Sequence, residues 1–229
     1  GLARMDRQHG RFEHFREVPG QIDSISHNSI SMIVETADGT LWVGTQGGGL
    51  NRMLRDPDGG VRFAAIGKRE GLGADAIGVL VEDRRGKLWI GTTVGVNAYD
   101  PRTGEVQSFS ASDGMDRSGY FIGSVAPGSD GEIYFGGLRG VLAFHPEHLP
   151  QRTLMPAVRY TELRFDNQPV DVRKASADAP LQRALHASDE VRVPYGISGI
   201  AVDYSALDFA NPEGVRYSYR LDGFDRDWI

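Results

Sequence analysis

The sequence predicts an all-β protein: a partial β-propeller of about three four-stranded blades, followed by part of an immunoglobulin-like β-sandwich. Two observations predict the propeller, and a third predicts the second domain. The motif Asp38-Gly39-Thr40-Leu41-Trp42-Val43-Gly44-Thr45 recurs at 85–92 and 130–137. The copies are 47 and then 45 residues apart (Leu41 to Leu88, Leu88 to Ile133), and a period in the 40s is typical of propeller blades. The period is lost after Phe144.

Each complete repeat is predicted to contribute four strands, separated by turns rich in Gly, Asp and Pro. In the first complete repeat they lie near 30–36, 40–45, 49–54 and 61–66. The next repeat runs from Ala76 to Phe109. The last runs from Tyr120 to Phe144, after which prolines interrupt the place of a fourth strand.

The first residues of the chain match the later part of a repeat. Residues 1–6 align with the third strands of the other repeats, and 11–15 reads as a fourth, outer strand. The predicted strands therefore group as two, four, four and three. Propellers usually close with about four to eight blades, so we expect that this stretch alone does not close a ring. We expect either a longer chain or association of copies through the open faces, and we favour the former.

The segment after the repeats is predicted to be a separate domain. We assign 1–149 to propeller blades, 150–156 to a linker and 157–229 to an incomplete β-sandwich. Short predicted strands at 158–163, 191–193, 197–202 and 215–221 support the sandwich. A turn is predicted at 166–169, and a polar loop with a helical turn at 173–190.

Composition excludes several classes of partner and site. The net charge is −6 and the pI is about 5.5, and no basic stripe is present, so we expect no nucleic-acid partner. The chain contains no cysteine, so it has no disulfide and no thiolate metal site.

The aromatic residues of the repeated motif are predicted to lie in the core. Trp42, Trp89 and Tyr134 hold equivalent positions. We interpret them as packing between neighbouring blades, and we expect Trp42 and Trp89 to be largely buried.

Polar loops on one face of the propeller are the candidate binding residues. In a four-stranded blade, the connection between blades and the turn between the second and third strands emerge on the same side. Binding residues are common on loops held by a rigid scaffold, although each of these loops also fits an ordinary solvated turn. The candidates are His27, Gln46, Asp75, Thr93, Arg117, Tyr120 and Arg139.

No catalytic residue, metal site or cofactor is predicted. His145-x-x-His148 has metal-like polarity but no third ligand nearby in the sequence. The aspartates at 222, 225 and 227 are interpreted as a capped turn, because calcium needs more oxygen ligands in a fixed loop. The glycines at 47–49 lack the Gly-Lys-Ser/Thr ending of a phosphate loop, so a hairpin turn is favoured.

The segments 41–50 and 88–92 closely resemble the two-component-regulator propeller repeat, and 134–146 resembles its final copy. The segments 203–212 and 217–228 resemble the three-Tyr domain that follows such propellers. This resemblance implies a periplasmic sensor region of a bacterial inner-membrane receptor that is a homodimer at full length. A transmembrane helix normally follows, and then a histidine kinase, a diguanylate cyclase or a DNA-binding output domain.

Three functions remain open. The first is a non-enzymatic sensor that binds an unknown small molecule or oligosaccharide. The second is a propeller enzyme, a lyase or hydrolase with its site in the central channel. The third is a pure interaction scaffold. The three-Tyr segment favours the sensor, because a propeller lyase has no need of it.

Overall fold

The computed structural model describes residues 1–109, 111–115, 119–149, 157–171, 179–207, 215 and 217–229. The chain divides into two compact units, Gly1–Gln151 and Arg152–Ile229. The helices of the described residues are short 3-10 turns, and none has the length and apolarity that a membrane span requires.

The described part of the first unit forms four antiparallel sheets, each built from strands that follow one another in the sequence. The strands are β1 (Leu2–Asp6) and β2 (Arg11–Phe15); β3 (Ile30–Glu35), β4 (Leu41–Thr45), β5 (Leu50–Arg55) and β6 (Val61–Ile66); β7 (Ile77–Glu82), β8 (Leu88–Thr92), β9 (Gly95–Tyr99) and β10 (Val106–Phe109); and β11 (Tyr120–Pro127), β12 (Ile133–Gly137) and β13 (Gly140–Phe144). The all-β class and the grouping of two, four, four and three strands are confirmed.

The first strand of each repeat carries an irregularity at an equivalent place. The register of β3 with β4 shifts between Ile30 and Met32, and that of β7 with β8 shifts between Ile77 and Val79. In the last sheet the shift is longer and lies between residues 120 and 125. Bulges increase the local twist of a strand, so the first strand of each of these three sheets bends near its beginning.

The core consists of apolar layers between consecutive sheets, and the two tryptophans join them. Trp42 is 1% exposed, and its ring lies 5.6 Å from that of Tyr99 in the next sheet. Trp89 is 2% exposed and lies 4.9 Å from Phe144 of the sheet after it. The predicted burial between neighbouring blades is therefore confirmed for both.

The third aromatic residue of the series behaves differently. Tyr134 is 36% exposed, because no further sheet of the described residues covers β12. Its hydroxyl donates to the carboxylate of Glu132. The expectation that Tyr134 is a core residue is wrong.

The described part of the second unit holds one three-stranded antiparallel sheet. The order of its strands is β15–β14–β16, with β14 spanning Val158–Phe165, β15 Gln168–Pro169 and β16 Ile200–Ala206. Leu163, Phe165 and Leu181 form its core. The predicted turn at 166–169 is present at 166–167, where both residues have positive φ, and a 3-10 turn occupies Leu185–Ala187.

Two predicted strands of this unit are wrong. Residues 191–193 form no strand, and the amide of Arg192 donates to the carbonyl of Pro180. The described residues of 215–221 form none either, and Tyr217, Tyr219 and Leu221 are exposed. Alternation predicts a strand only where a neighbouring strand pairs with it. Within the described part of this segment, the backbone pairing consists of two hydrogen bonds between Tyr219 and Ile229. The strand expected at 197–202 begins at Ile200 and extends to Ala206.

Candidate binding face

The candidate binding face comprises the connections between sheets and the turns between their second and third strands. Two buried threonines at equivalent positions hydrogen-bond across the β4–β5 and β8–β9 turns. Thr45 Oγ1 donates to the carbonyl of Gly49 at 2.8 Å, and Thr92 Oγ1 donates to that of Gly95 at 3.1 Å. Both side chains are shielded from solvent, so the turns have a fixed shape.

Buried asparagines fix the connections that cross this face. Asn51 on β5 is fully buried; its Oδ1 accepts the amide of Ser26 at 3.0 Å, and its Nδ2 donates to Ser26 Oγ at 2.7 Å. Asn97 on β9, which is 2% exposed, accepts the amide of Gly73 at 3.3 Å and donates to Ser108 Oγ at 2.6 Å. A buried amide that lost such partners would be costly, so each connection is held to the sheet that follows it.

His27 and Gln46 lie beside each other on this face. Ser26 Oγ donates to the carbonyl of Gly48 at 2.6 Å, which brings the first connection against the β4–β5 turn. The ring of His27 packs on Gly47, where an added Cβ would lie 3.3 Å from it. Gln46 is exposed, and its backbone N–H donates to the carbonyl of Ser29 at 2.9 Å. These two predicted residues are therefore brought together.

Asp75 is held by backbone groups on both sides. Its Oδ1 accepts the amide of Lys68 at 2.8 Å, and its carbonyl accepts the amide of Gly49 at 2.8 Å. Asp75 therefore ties the second connection to the β4–β5 turn. Oδ1 is thus engaged by the backbone, and the side chain is partly exposed.

Thr93 and Arg139 lie on exposed turns near Gly119. Thr93 has its Cα close to Gly119, and the carbonyl of Gly119 accepts the amide of Leu138 at 3.2 Å. Both predicted residues are exposed. They lie on the part of the face formed by the β8–β9 and β12–β13 turns, whereas His27, Gln46 and Asp75 surround the β4–β5 turn.

The remaining two candidates have different outcomes. Tyr120 is the first residue of β11 rather than a loop residue; it is 9% exposed, and its ring lies 5.3 Å from that of Phe135. It belongs to the core beneath the face. Arg117 lies outside the described residues.

Sequence reasoning missed the two buried asparagines. The available signal is a repeated Gly-x-Asn at 49–51 and 95–97, at the start of each third strand. An asparagine on a fully buried strand must find hydrogen-bond partners. A repeat of that polar residue at the blade period therefore points to a connection that it holds.

One group of side chains in the described residues could hold a metal ion. It lies at the start of β12, whereas the binding face includes the turn that follows the end of β12. It comprises Asp130, Glu132 and His145, whose ligand atoms lie within 4.8 Å of one another. Asp130 and His145 also line a pocket of about 160 Å³.

Comparisons with known proteins agree with the repeat pattern. Residues 24–47 and 71–93 match the family described as two component regulator propeller. Each matched segment contains the end of a connection and the first two strands of a sheet, so the predicted resemblance is confirmed for these two repeats. Histidine kinase P4 of Formosa agariphila is 23% identical over 134 residues, which are 58% of this chain and 10% of the kinase.

A solved structure shows the same fold. The extracellular domain of a putative hybrid two component system from B. thetaiotaomicron aligns with a TM-score of 0.55 and 20% identity, over 99% of this chain and 32% of that chain. At this identity the likeness concerns the fold alone. The chain spans about a third of that solved domain and matches a tenth of the histidine kinase.

Proposed function

We propose that this chain is part of the extracytoplasmic, periplasmic sensor region of a bacterial transmembrane receptor of the histidine kinase or diguanylate cyclase type. The region binds a ligand and has no catalytic activity of its own. The two matched propeller repeats and the fold shared with an extracellular domain of a two component system support this assignment.

The observation that carries the proposal is the binding face with its fixed loops. Asn51 and Asn97 hold two connections to the sheets by hydrogen bonds, and the buried threonines 45 and 92 hold the turns between second and third strands. Rigid loops reduce the entropy lost when a ligand binds. Such a face is suited to recognition, and we propose His27, Gln46, Asp75, Thr93 and Arg139 as its contact residues.

The chemistry of the face favours a polar ligand. Amide, imidazole, hydroxyl and carboxylate groups offer both donors and acceptors at short range. We therefore propose a small polar molecule or an oligosaccharide as the signal.

The experiment is a thermal-shift screen of the full-length receptor with a panel of short oligosaccharides and their monosaccharides. We expect one class to raise the Tm, because a ligand that binds only the folded state stabilises it. Thr93→Ala should remove that shift. Thr103→Ala is the matched control, because Thr103 is also exposed but lies on the outer turn between β9 and β10. An equal effect of the two variants would contradict the proposed face.

The same panel separates a sensor from an enzyme. Each oligosaccharide that shifts the Tm is incubated with the protein, and the products are analysed by mass spectrometry. A sensor leaves the sugar intact. Cleavage or elimination would overturn the non-enzymatic assignment in favour of a propeller lyase or hydrolase.

A further inference from the structure

The Asp130–Glu132–His145 cluster forms where the last propeller sheet meets the segment that leaves it. Asp130 lies in the turn before β12, and Glu132 directly precedes β12. The register of the β12–β13 hairpin pairs Ile133 with Phe144. Residues 132 and 145 each lie one position beyond this pair, so strand pairing places carboxylates beside an imidazole that is 13 residues later in the chain.

Each carboxylate has one oxygen fixed by the protein. Asp130 Oδ1 accepts the amide of Glu132 at 3.1 Å, which leaves Oδ2 facing His145. Glu132 Oε2 accepts the hydroxyl of Tyr134. Hydrogen bonds of this kind orient metal-ligating carboxylates in known sites.

The distance between the imidazole and the aspartate is longer than a hydrogen bond and about half an ångström longer than the separation of two ligands of one metal ion. His145 Nε2 lies 3.8 Å from Asp130 Oδ2, beyond hydrogen-bond range. Two ligands at about 2.0–2.1 Å from a tetrahedral Zn²⁺ are separated by about 3.3 Å. A small side-chain rotation therefore suffices to bring both atoms to one ion.

We propose that Asp130, Glu132 and His145 form a binding site for a divalent transition-metal ion such as Zn²⁺, with solvent completing the coordination. One imidazole and two carboxylates are ligands that this class of ion accepts. The ion would link the turn before β12 to the segment after β13.

Two arginines add positive charge beside the cluster. The guanidinium of Arg84 lies beside Gly131 and donates to the carbonyl of Ser129, and Arg85 pairs with Glu147 at 3.3 Å. Arg84 repels a cation placed next to it, and the negative charges of the two carboxylates offset that repulsion. Removing the charge of either carboxylate should therefore weaken binding as much as removing the imidazole does.

The experiment is isothermal titration of the 229-residue chain with Zn²⁺ in chelator-treated buffer. We expect one ion per chain, and at least a tenfold loss of affinity in each of His145→Ala, Asp130→Asn and Glu132→Gln. The matched control is His9→Ala. His9 Nδ1 lies 2.6 Å from Asp6 Oδ2, a histidine–carboxylate pair outside the three-ligand group.

Two further measurements make the result decisive. Circular dichroism and the Tm of each metal-free variant establish that the fold is unchanged, as expected for side chains that are partly exposed. Co²⁺ absorption then reports whether nitrogen and oxygen ligands surround the ion. The absence of saturable binding overturns the proposal, and so does binding that His145→Ala leaves intact or that His9→Ala weakens equally.

Discussion

The sheets β3–β6 and β7–β10 have the same strand order and the same motif, but they differ around their buried tryptophans. Trp89 Nε1 donates to Asp83 Oδ2 at 2.8 Å. Trp42 Nε1 is buried, and no hydrogen-bond partner for it lies among the described residues. Thr36 occupies the place of Asp83, and its hydroxyl donates to Asp38 Oδ1 at 2.7 Å.

The comparison separates what the repeat requires from what it tolerates. Both sheets require a large ring that packs on the following sheet, since each indole contacts an aromatic residue there. A hydrogen-bond acceptor for the indole N–H is present at Trp89, and none lies among the described residues at Trp42. Arg52 lies over the ring of Trp42, with its guanidinium carbon 5.7 Å from the centroid, whereas Trp89 has a carboxylate at its edge. Packing is thus the common element of the two sheets, and the hydrogen bonding of the tryptophan is local to each.

The largest effect is expected from removal of the rings. Trp89→Ala and Trp42→Ala should each lower the free energy of unfolding by about 3–5 kcal/mol, because each leaves a cavity between two sheets. Tyr134→Ala, at the equivalent but exposed position, should cost about 1 kcal/mol or less. Urea unfolding measures all three. A loss for Tyr134→Ala as large as that of the tryptophans would contradict the assigned difference in burial.

Equivalent glycines on β4 and β8 should differ in tolerance. A Cβ on Gly91 would lie 2.3 Å from Val79 Cγ2 and 2.8 Å from Tyr120 Cδ2, whereas one on Gly44 would lie 3.0 Å from Ile77 Cγ2. We expect Gly91→Ala to cost about 1–3 kcal/mol through overpacking, and Gly44→Ala to cost less. Thermal unfolding of the two variants provides the test. A larger loss for Gly44→Ala than for Gly91→Ala would show that the sheet β7–β10 accommodates the added methyl group better than the sheet β3–β6.

The hydrogen bond of Trp89 can be isolated by a double-mutant cycle. Asp83→Ala should cost about 1–3 kcal/mol, because it leaves the indole N–H buried without an acceptor. The loss should shrink in a Trp89→Phe background, where that donor is absent. Some loss should remain, because Asp83 Oδ1 also accepts the amides of Arg85 and Lys87 at 2.8 and 3.0 Å. Additive losses would show that the bond contributes nothing.

The smallest effect concerns pH and the outer turns of the two sheets. The hydrogen bond from Arg62 lowers the pKa of Asp56 below its ordinary value of 3.8, and Arg102 does the same for the pKa of Asp100. A lowered folded-state pKa contributes stability that is present above the unfolded pKa and is lost as the pH falls through the folded value.

The guanidinium of each pair is exposed, whereas Asp56 is partly buried and Asp100 is buried. Because each pair borders solvent on its arginine side, salt should screen it and its contribution should be small. Arg62→Gln and Arg102→Gln should each return the pKa of the paired aspartate towards its ordinary value. NMR titration of the carboxyl carbons measures this change. A folded-state pKa that Arg102→Gln leaves unchanged would mean that the backbone of the turn, rather than the guanidinium, holds the charged form of Asp100.

The bounds of the repeated strands could be predicted closely from the sequence. The contacts that hold the connections and that form the metal cluster could not, because they join residues far apart in the chain. The spacing of Leu41 and Leu88 fixes where strands recur, and β3–β6 lie within a residue of their predicted bounds. The residues held by Asn51 and Asn97 lie 25 and 24 positions earlier, so no local pattern identifies them. The candidate metal cluster depends likewise on the hairpin register that brings Glu132 to His145.

The serial strand order of the sheets has a consequence for the speed of folding. Every strand pair that the structure describes in the first unit joins strands that are neighbours in the sequence. Loop closure between such neighbours loses little chain entropy, and local pairing is associated with rapid folding. A repeat can therefore assemble as soon as its own residues have left the ribosome, and the next repeat then adds to a preformed surface. In this order of events, Trp42 and Trp89 remain in water until the following sheet forms.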